Sequence, residues 1–116
     1  MKLEKQVCSL ELAKKLKELG VKQESLWFYN SKTMKLQRGF SAHTSNKGMT
    51  WSISAFTVAE LGEMLPSGYY SIREGSVWEC WLRNGTQKVE ASTEADARAK
   101  MLIYLLENKL MLQEAE

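Results

Sequence analysis

Apolar residues recur at helical spacing along the C-terminal third of the chain. Ala95, Ala99, Leu102, Leu106 and Leu110 follow one another at intervals of four, three, four and four, which puts them on one helix face. Met101, Ile103 and Leu105 widen that face until little polar surface is left, and a helix apolar nearly all round is a buried one. Thr93 with Asp96 three residues later forms an approximate capping box. Glu94 adds an acid near the positive end of the helix dipole, and Lys109 sits near the negative end. A helix from Thr93 to about Met111 is expected as the spine of the core.

Leu12, Leu16 and Leu19, joined by Ala13, mark a shorter helix, with Ser9 as its cap and Gly20 as the left-handed residue that ends it. Residues 1–8 read as a loosely held lead-in. Leu26 to Asn30 is aromatic-rich and reads as a strand. Ser31 and Lys32 turn it into a second strand, Thr33 to Arg38, with Met34 and Leu36 on the half-buried side. Periodicity then fails over residues 39–52, which read as a long loop, although Met49 to Ser54 has the residues of a strand.

Thr57 and Glu60 form a capping box, and Phe56 and Leu61 occupy the two positions of a hydrophobic staple. This helix should run to Leu65, stopped by Pro66, with Gly68 turning the chain. Three strands follow: Tyr69–Glu74, Val77–Leu82 and Thr86–Ala91, separated by Gly75-Ser76 and by Asn84-Gly85, a strong hairpin signal. Alternation is read as placing Tyr70, Ile72, Trp78, Cys80, Leu82, Val89 and Ala91 on a core face. Tyr69, Arg73, Val77, Trp81, Lys88 and Glu90 then line the other.

The fold class that results is α+β. An antiparallel hairpin plus a three-stranded meander is packed by a long C-terminal helix and two shorter helices, in a single domain over residues 1–116. The hydrophobic share of 44% and the single proline are those of an ordinary globular chain, not a disordered one. No apolar run approaches the roughly 20 residues that cross a bilayer, so no membrane association is expected. Two distant cysteines, Cys8 and Cys80, in segments of regular structure fit a reducing cytoplasm.

Catalytic chemistry finds little to work with. The lone histidine, His43, and the two cysteines lack metal-ligand spacing, and no glycine-rich phosphate loop is present, so no metal or cofactor is expected. A Cys/His pair can be assembled from His43 with either thiol, but Cys80 falls on the core face, where thiols are inert. Glu60 and Glu63 could be paired carboxylates, but Glu60 is already used as a cap. A small hydrolase ranks third among the functional readings.

Nucleic acid is the second reading. The order helix–strand–strand–strand–helix from Thr57 onward is that of double-stranded-RNA-binding domains, but these grip phosphate with lysines where this chain has Thr93-Glu94-Ala95-Asp96. LELAKKLKELGVKQESLWFY is similar to the first two helices of phage-type helix-turn-helix regulators, with a recognition helix from near Gln23. The consecutive aromatics Trp27, Phe28 and Tyr29 favour a strand there instead. The net charge of +2 gives no strong pull toward phosphate. An accessory factor of this class would use Lys14, Lys15, Lys17, Lys22 and Arg38, although tight binding at physiological salt is not expected.

VCSLELAKKLKELGVKQESLWFY, AFTVAELGEMLP and TEADARAKMLIYLLENKL resemble three blocks of small uncharacterised proteins of phages, prophages and other mobile elements. The resemblance covers about half the chain and implies an origin and a cytoplasmic setting, with no activity or catalytic residue to carry over. The leading reading is a non-catalytic protein-interaction or accessory protein. Its candidate surface joins Tyr69, Arg73 and Trp81 on the exposed sheet face to Trp51 and His43 of the long loop.

Overall fold

The computed structural model describes residues 2–30, 32–38, 52–82, 85 and 87–110. Residues 39–51, with His43 and Trp51, lie outside them, as do Asn84 and Met111. In chain order the elements are α1 (Leu10–Glu18), β1 (Trp27–Asn30), β2 (Lys35–Arg38), β3 (Ser52–Ser54), α2 (Val58–Met64), β4 (Tyr69–Glu74), β5 (Val77–Leu82), β6 (Lys88–Ala91) and α3 (Glu94–Glu107). The class is α+β, as expected. The strands form two antiparallel sheets, β2-β1-β3 and β4-β5-β6, so the predicted hairpin gains β3 as a third strand.

α3 is the spine. It packs against all three strands of the β4–β6 sheet and against α1 and α2. Ala95, Ala97 and Ala99 are fully buried along it, and side chains this small let neighbouring backbone come close. Met101, Leu102, Ile103, Leu105 and Leu106 fill the rest of the core with Leu16, Phe56, Leu61 and Cys80. α1 also packs on β3, which ties the first sheet to this core.

The capping box of α2 is complete: Glu60 N–H donates to Thr57 Oγ1 at 3.1 Å, and Thr57 N–H donates to Glu60 Oε1 at 2.9 Å. Glu60 does more than cap. Its carboxylate also accepts from Ser25 Oγ at 2.7 Å and from Leu26 N–H at 3.2 Å, which fixes the chain entering β1. Phe56 and Leu61, the staple pair, are both buried.

Several local expectations are corrected. Ser9 occupies the N-cap of α1, but its hydroxyl makes no capping bond; its N–H donates instead to Asp96 Oδ1 at 2.7 Å. The Asp96 carboxylate is thus turned toward α1, leaving only the Thr93 half of the predicted box, with Asp96 N–H donating to Thr93 Oγ1 at 3.1 Å. The lead-in ends in two core residues, Val7 and Cys8, held by a bridge from Val7 to Thr57 and by Tyr29 Oη donating to Cys8 O at 2.7 Å.

β2 starts at Lys35 because Asn30 Oδ1 accepts from Lys32 and Thr33 N–H, building a turn that Met34 closes at φ 63°. Met34 is consequently exposed. α3 ends at Glu107, four residues short of Met111. Lys109 adopts φ 56°, its N–H donates to Leu106 O, and Leu110 N–H donates to Leu105 O, the Schellman pattern. Leu110, expected on the buried face, is thereby 59% exposed.

Candidate interaction surface

The face each residue of β4 occupies follows from the turn behind it. Gly75 and Ser76 form a two-residue connection with positive φ at Gly75 alone (64°), the pattern of a type II′ hairpin. Such a turn sets Glu74 opposite Val77, and hence Ile72 opposite Glu79 and Tyr70 opposite Trp81. Even-numbered residues of β4 therefore share a face with odd-numbered residues of β5. The expected assignment of β4 is reversed: Tyr69 and Ser71 lie on the helix side with Trp78, Cys80 and Leu82, while Tyr70 and Ile72 lie on the open side.

A serine on the inner face needs polar partners, and α3 supplies them. Ser71 Oγ donates to Glu94 Oε2 at 2.7 Å and accepts from Arg98 Nη2 at 3.3 Å. Arg98 is further held by Glu94 (3.1 Å) and by Val58 O (2.8 Å), and its guanidinium lies 5.2 Å from the centre of the Tyr69 ring. Gly62 leaves room for this group, because a Cβ there would come within 2.6 Å of Arg98 Nη1 and 2.7 Å of Tyr69 Oη. Ser71, Glu94 and Arg98, with the Tyr69 ring beside the guanidinium, thus bind α2, β4 and α3 to one another.

The opposite face is open among the described residues. Tyr70 is 47% and Ile72 44% exposed, and Val77 is exposed beside them. The Tyr70 and Trp81 rings are parallel to within 2°, with centroids 6.3 Å apart. Lys88 Nζ lies 5.3 Å from the centre of the Trp81 ring, and Trp81 Nε1 donates to Glu79 Oε1 at 2.9 Å. Glu79 and Glu90 both reach Lys88, at 3.7 and 3.0 Å, and the Glu90 contact pushes the Lys88 ammonium pKa up. With Glu74, this face carries three carboxylates against one ammonium. α1 packs on α3 and β3 and leaves Trp81 half-buried on the open face.

Of the residues expected at the surface, Trp81 is there. Tyr69 belongs to the Arg98 cluster, Arg73 is exposed and folds its Nε onto Gly75 O at 2.9 Å, and Trp51 and His43 lie outside the described residues. Tyr70 and Ile72, expected on the core face, lie on the open one. The signal that finds them is the two-residue turn, whose parity overrides the apolar pattern of β4.

Most of the other chemical candidates among the described residues are occupied or buried, and Lys14 is exposed. Burial pushes the Cys8 thiol up to about 12 and the Cys80 thiol up to about 11. Lys15 pairs with Glu107 at 2.9 Å, Lys17 Nζ donates to Ser52 O at 2.9 Å, Lys22 pairs with Glu24 at 3.5 Å, and Arg38 lies over the Trp27 ring. Near Gln23, where a recognition helix would start, the chain is not helical and leads into β1. The order α2-β4-β5-β6-α3 is present, with Glu94 and Asp96 at the start of its last helix. Among the described residues no group of three or more His, Cys, Asp or Glu could hold a metal, and no helix is long and apolar enough to cross a membrane. No family model, curated protein or solved structure matches the chain.

Proposed function

We propose that this is a non-catalytic interaction protein whose contact surface is the open face of the β4–β6 sheet. The observation that supports this most is the stacked pair of exposed Tyr70 and half-buried Trp81 beside exposed Ile72 and Val77, since aromatic side chains on an uncovered face are the usual anchors of protein partners. Glu74, Glu79 and Glu90 outnumber Lys88, so the partner suited to this face is a protein segment with basic side chains flanking an apolar anchor. The likeness of three sequence blocks to proteins of mobile elements would give it an accessory role in the cytoplasm. A nucleic-acid accessory role draws support from the element order alone, because three of its five basic residues are engaged by carboxylates or a backbone carbonyl.

Capture from nuclease-treated cell lysate, comparing the wild-type chain with a Tyr70→Ala/Trp81→Ala variant, tests the reading. A nuclease-resistant protein partner is expected that the variant loses, with binding that weakens as salt rises. Capture that disappears with nuclease, or that the variant retains in full, would overturn it.

A further inference from the structure

An edge strand presents unpaired backbone groups unless something covers them. At β3 they are covered: Lys17 Nζ donates to Ser52 O, and Ser54 N–H donates to Gln23 Oε1, both at 2.9 Å. At β6, Lys100 Nζ donates to Glu90 O at 2.8 Å. β2 has only four residues and carries exposed Lys35 and Arg38. The fourth edge, β4, is six residues long and differs.

Leu82 N–H donates to Gln87 O, so even-numbered residues of β5 turn their backbone groups toward β6 and odd-numbered ones toward β4. Tyr70, Ile72 and Glu74 therefore exchange the ladder bonds with β5. The N–H and C=O groups of Tyr69, Ser71 and Arg73 point away from the sheet, and no described residue bonds to them.

We propose that this edge pairs with β4 of a second copy of the chain, antiparallel about Ser71, to give a six-stranded sheet across a two-fold axis. The charges of the strand select that arrangement. Arg73 and Glu74 both lie at one end of β4, so parallel pairing would set like charges side by side. Antiparallel pairing about Ser71 instead sets Arg73 opposite Tyr69 of the partner subunit and Glu74 opposite Gly68 of the partner subunit. Tyr70 then meets Ile72 of the partner subunit, giving two exposed side chains an apolar neighbour. Two six-residue strands bury little area, so the dimer is weak and concentration-dependent. The open face stays open in it and doubles in length.

Sedimentation velocity of the full chain over a concentration series tests this. A shift from monomer toward dimer is expected below millimolar concentration. Arg73→Pro removes an outward N–H without touching the β5 ladder, and two such bonds are lost per dimer, so association should weaken about tenfold or more. Arg73→Ala, which keeps the N–H, should weaken it far less, and Trp81→Ala should leave it unchanged, which separates this proposal from the role of the open face. Because Arg73→Pro could impair folding, amide exchange of the wild-type chain supplies a second reading. The Tyr69, Ser71 and Arg73 amides should slow as concentration rises, and those of Lys88 and Glu90 should not. A chain monomeric throughout, a dimer indifferent to Arg73→Pro in a folded variant, or exchange independent of concentration would each overturn the proposal.

Discussion

Tyr70 and Trp81 stand directly across from one another on β4 and β5, their rings stacked at 6.3 Å on the uncovered face of the sheet. Tyr70 is exposed, whereas Trp81 is half-buried and also carries Lys88 Nζ at 5.3 Å from its ring centre. Their mutual contact should still be measurable. A double-mutant cycle of Tyr70→Ala and Trp81→Ala is expected to give a coupling of about 0.5 kcal/mol, the low end for aromatic pairs because solvent reaches both rings. Strictly additive losses in denaturant melts would mean that the rings do not stack in solution.

Glu60 should matter more to stability than the threonine it pairs with. Thr57→Ala removes one acceptor and should cost about 1 kcal/mol. Glu60→Ala removes the partner of Thr57 N–H, Ser25 Oγ and Leu26 N–H together, so a cost of about 2 kcal/mol or more is expected. Urea melts that rank the two variants in the opposite order would show that the carboxylate does not join α2 to β1.

Lys109 holds the left-handed position that ends α3, where glycine is favoured. A side chain there costs about 1–2 kcal/mol, and part of the gain from removing it is returned by the greater freedom of unfolded glycine. Lys109→Gly is expected to stabilise the protein by about 0.5–1 kcal/mol, read as a higher melting temperature. A destabilised variant would place the end of α3 elsewhere.

Asp96 makes stability depend on pH in an unusual direction for a carboxylate. Burial raises its pKa, and the N–H of Ser9 offsets this only in part. The folded protein therefore holds this proton at a pH where the unfolded chain has lost it, and stability falls as pH rises from the ordinary aspartate value through the raised one. Asp96→Asn abolishes that titration. As pH rises above the ordinary aspartate value of about 4, the wild type should lose stability relative to the variant, as checked by denaturant melts at several pH values. A relative gain over that range would contradict the burial of the carboxylate.

Local chemistry was legible in the chain itself. The Thr57/Glu60 box, the Phe56/Leu61 staple, Gly20 as a left-handed stop and the bounds of β4 and β5 each depend on residues within a few positions of one another, which short-range patterns encode. The apolar run of α3 likewise announced a buried helix, because a helix apolar nearly all round but too short to cross a bilayer needs a protein core. Contacts between distant segments decided the rest. Asp96 turned from its own helix start to Ser9, 87 residues away, and Glu60 was drawn to Ser25 and Leu26. The face of β4 lay between the two cases: the turn at Gly75-Ser76 specified the parity, yet the apolar pattern of Tyr70 and Ile72 pointed the other way. Only the tertiary structure shows why the turn prevailed, since Arg98 and Glu94 of α3 give Ser71 the hydrogen bonds that an apolar residue on that side would not have needed.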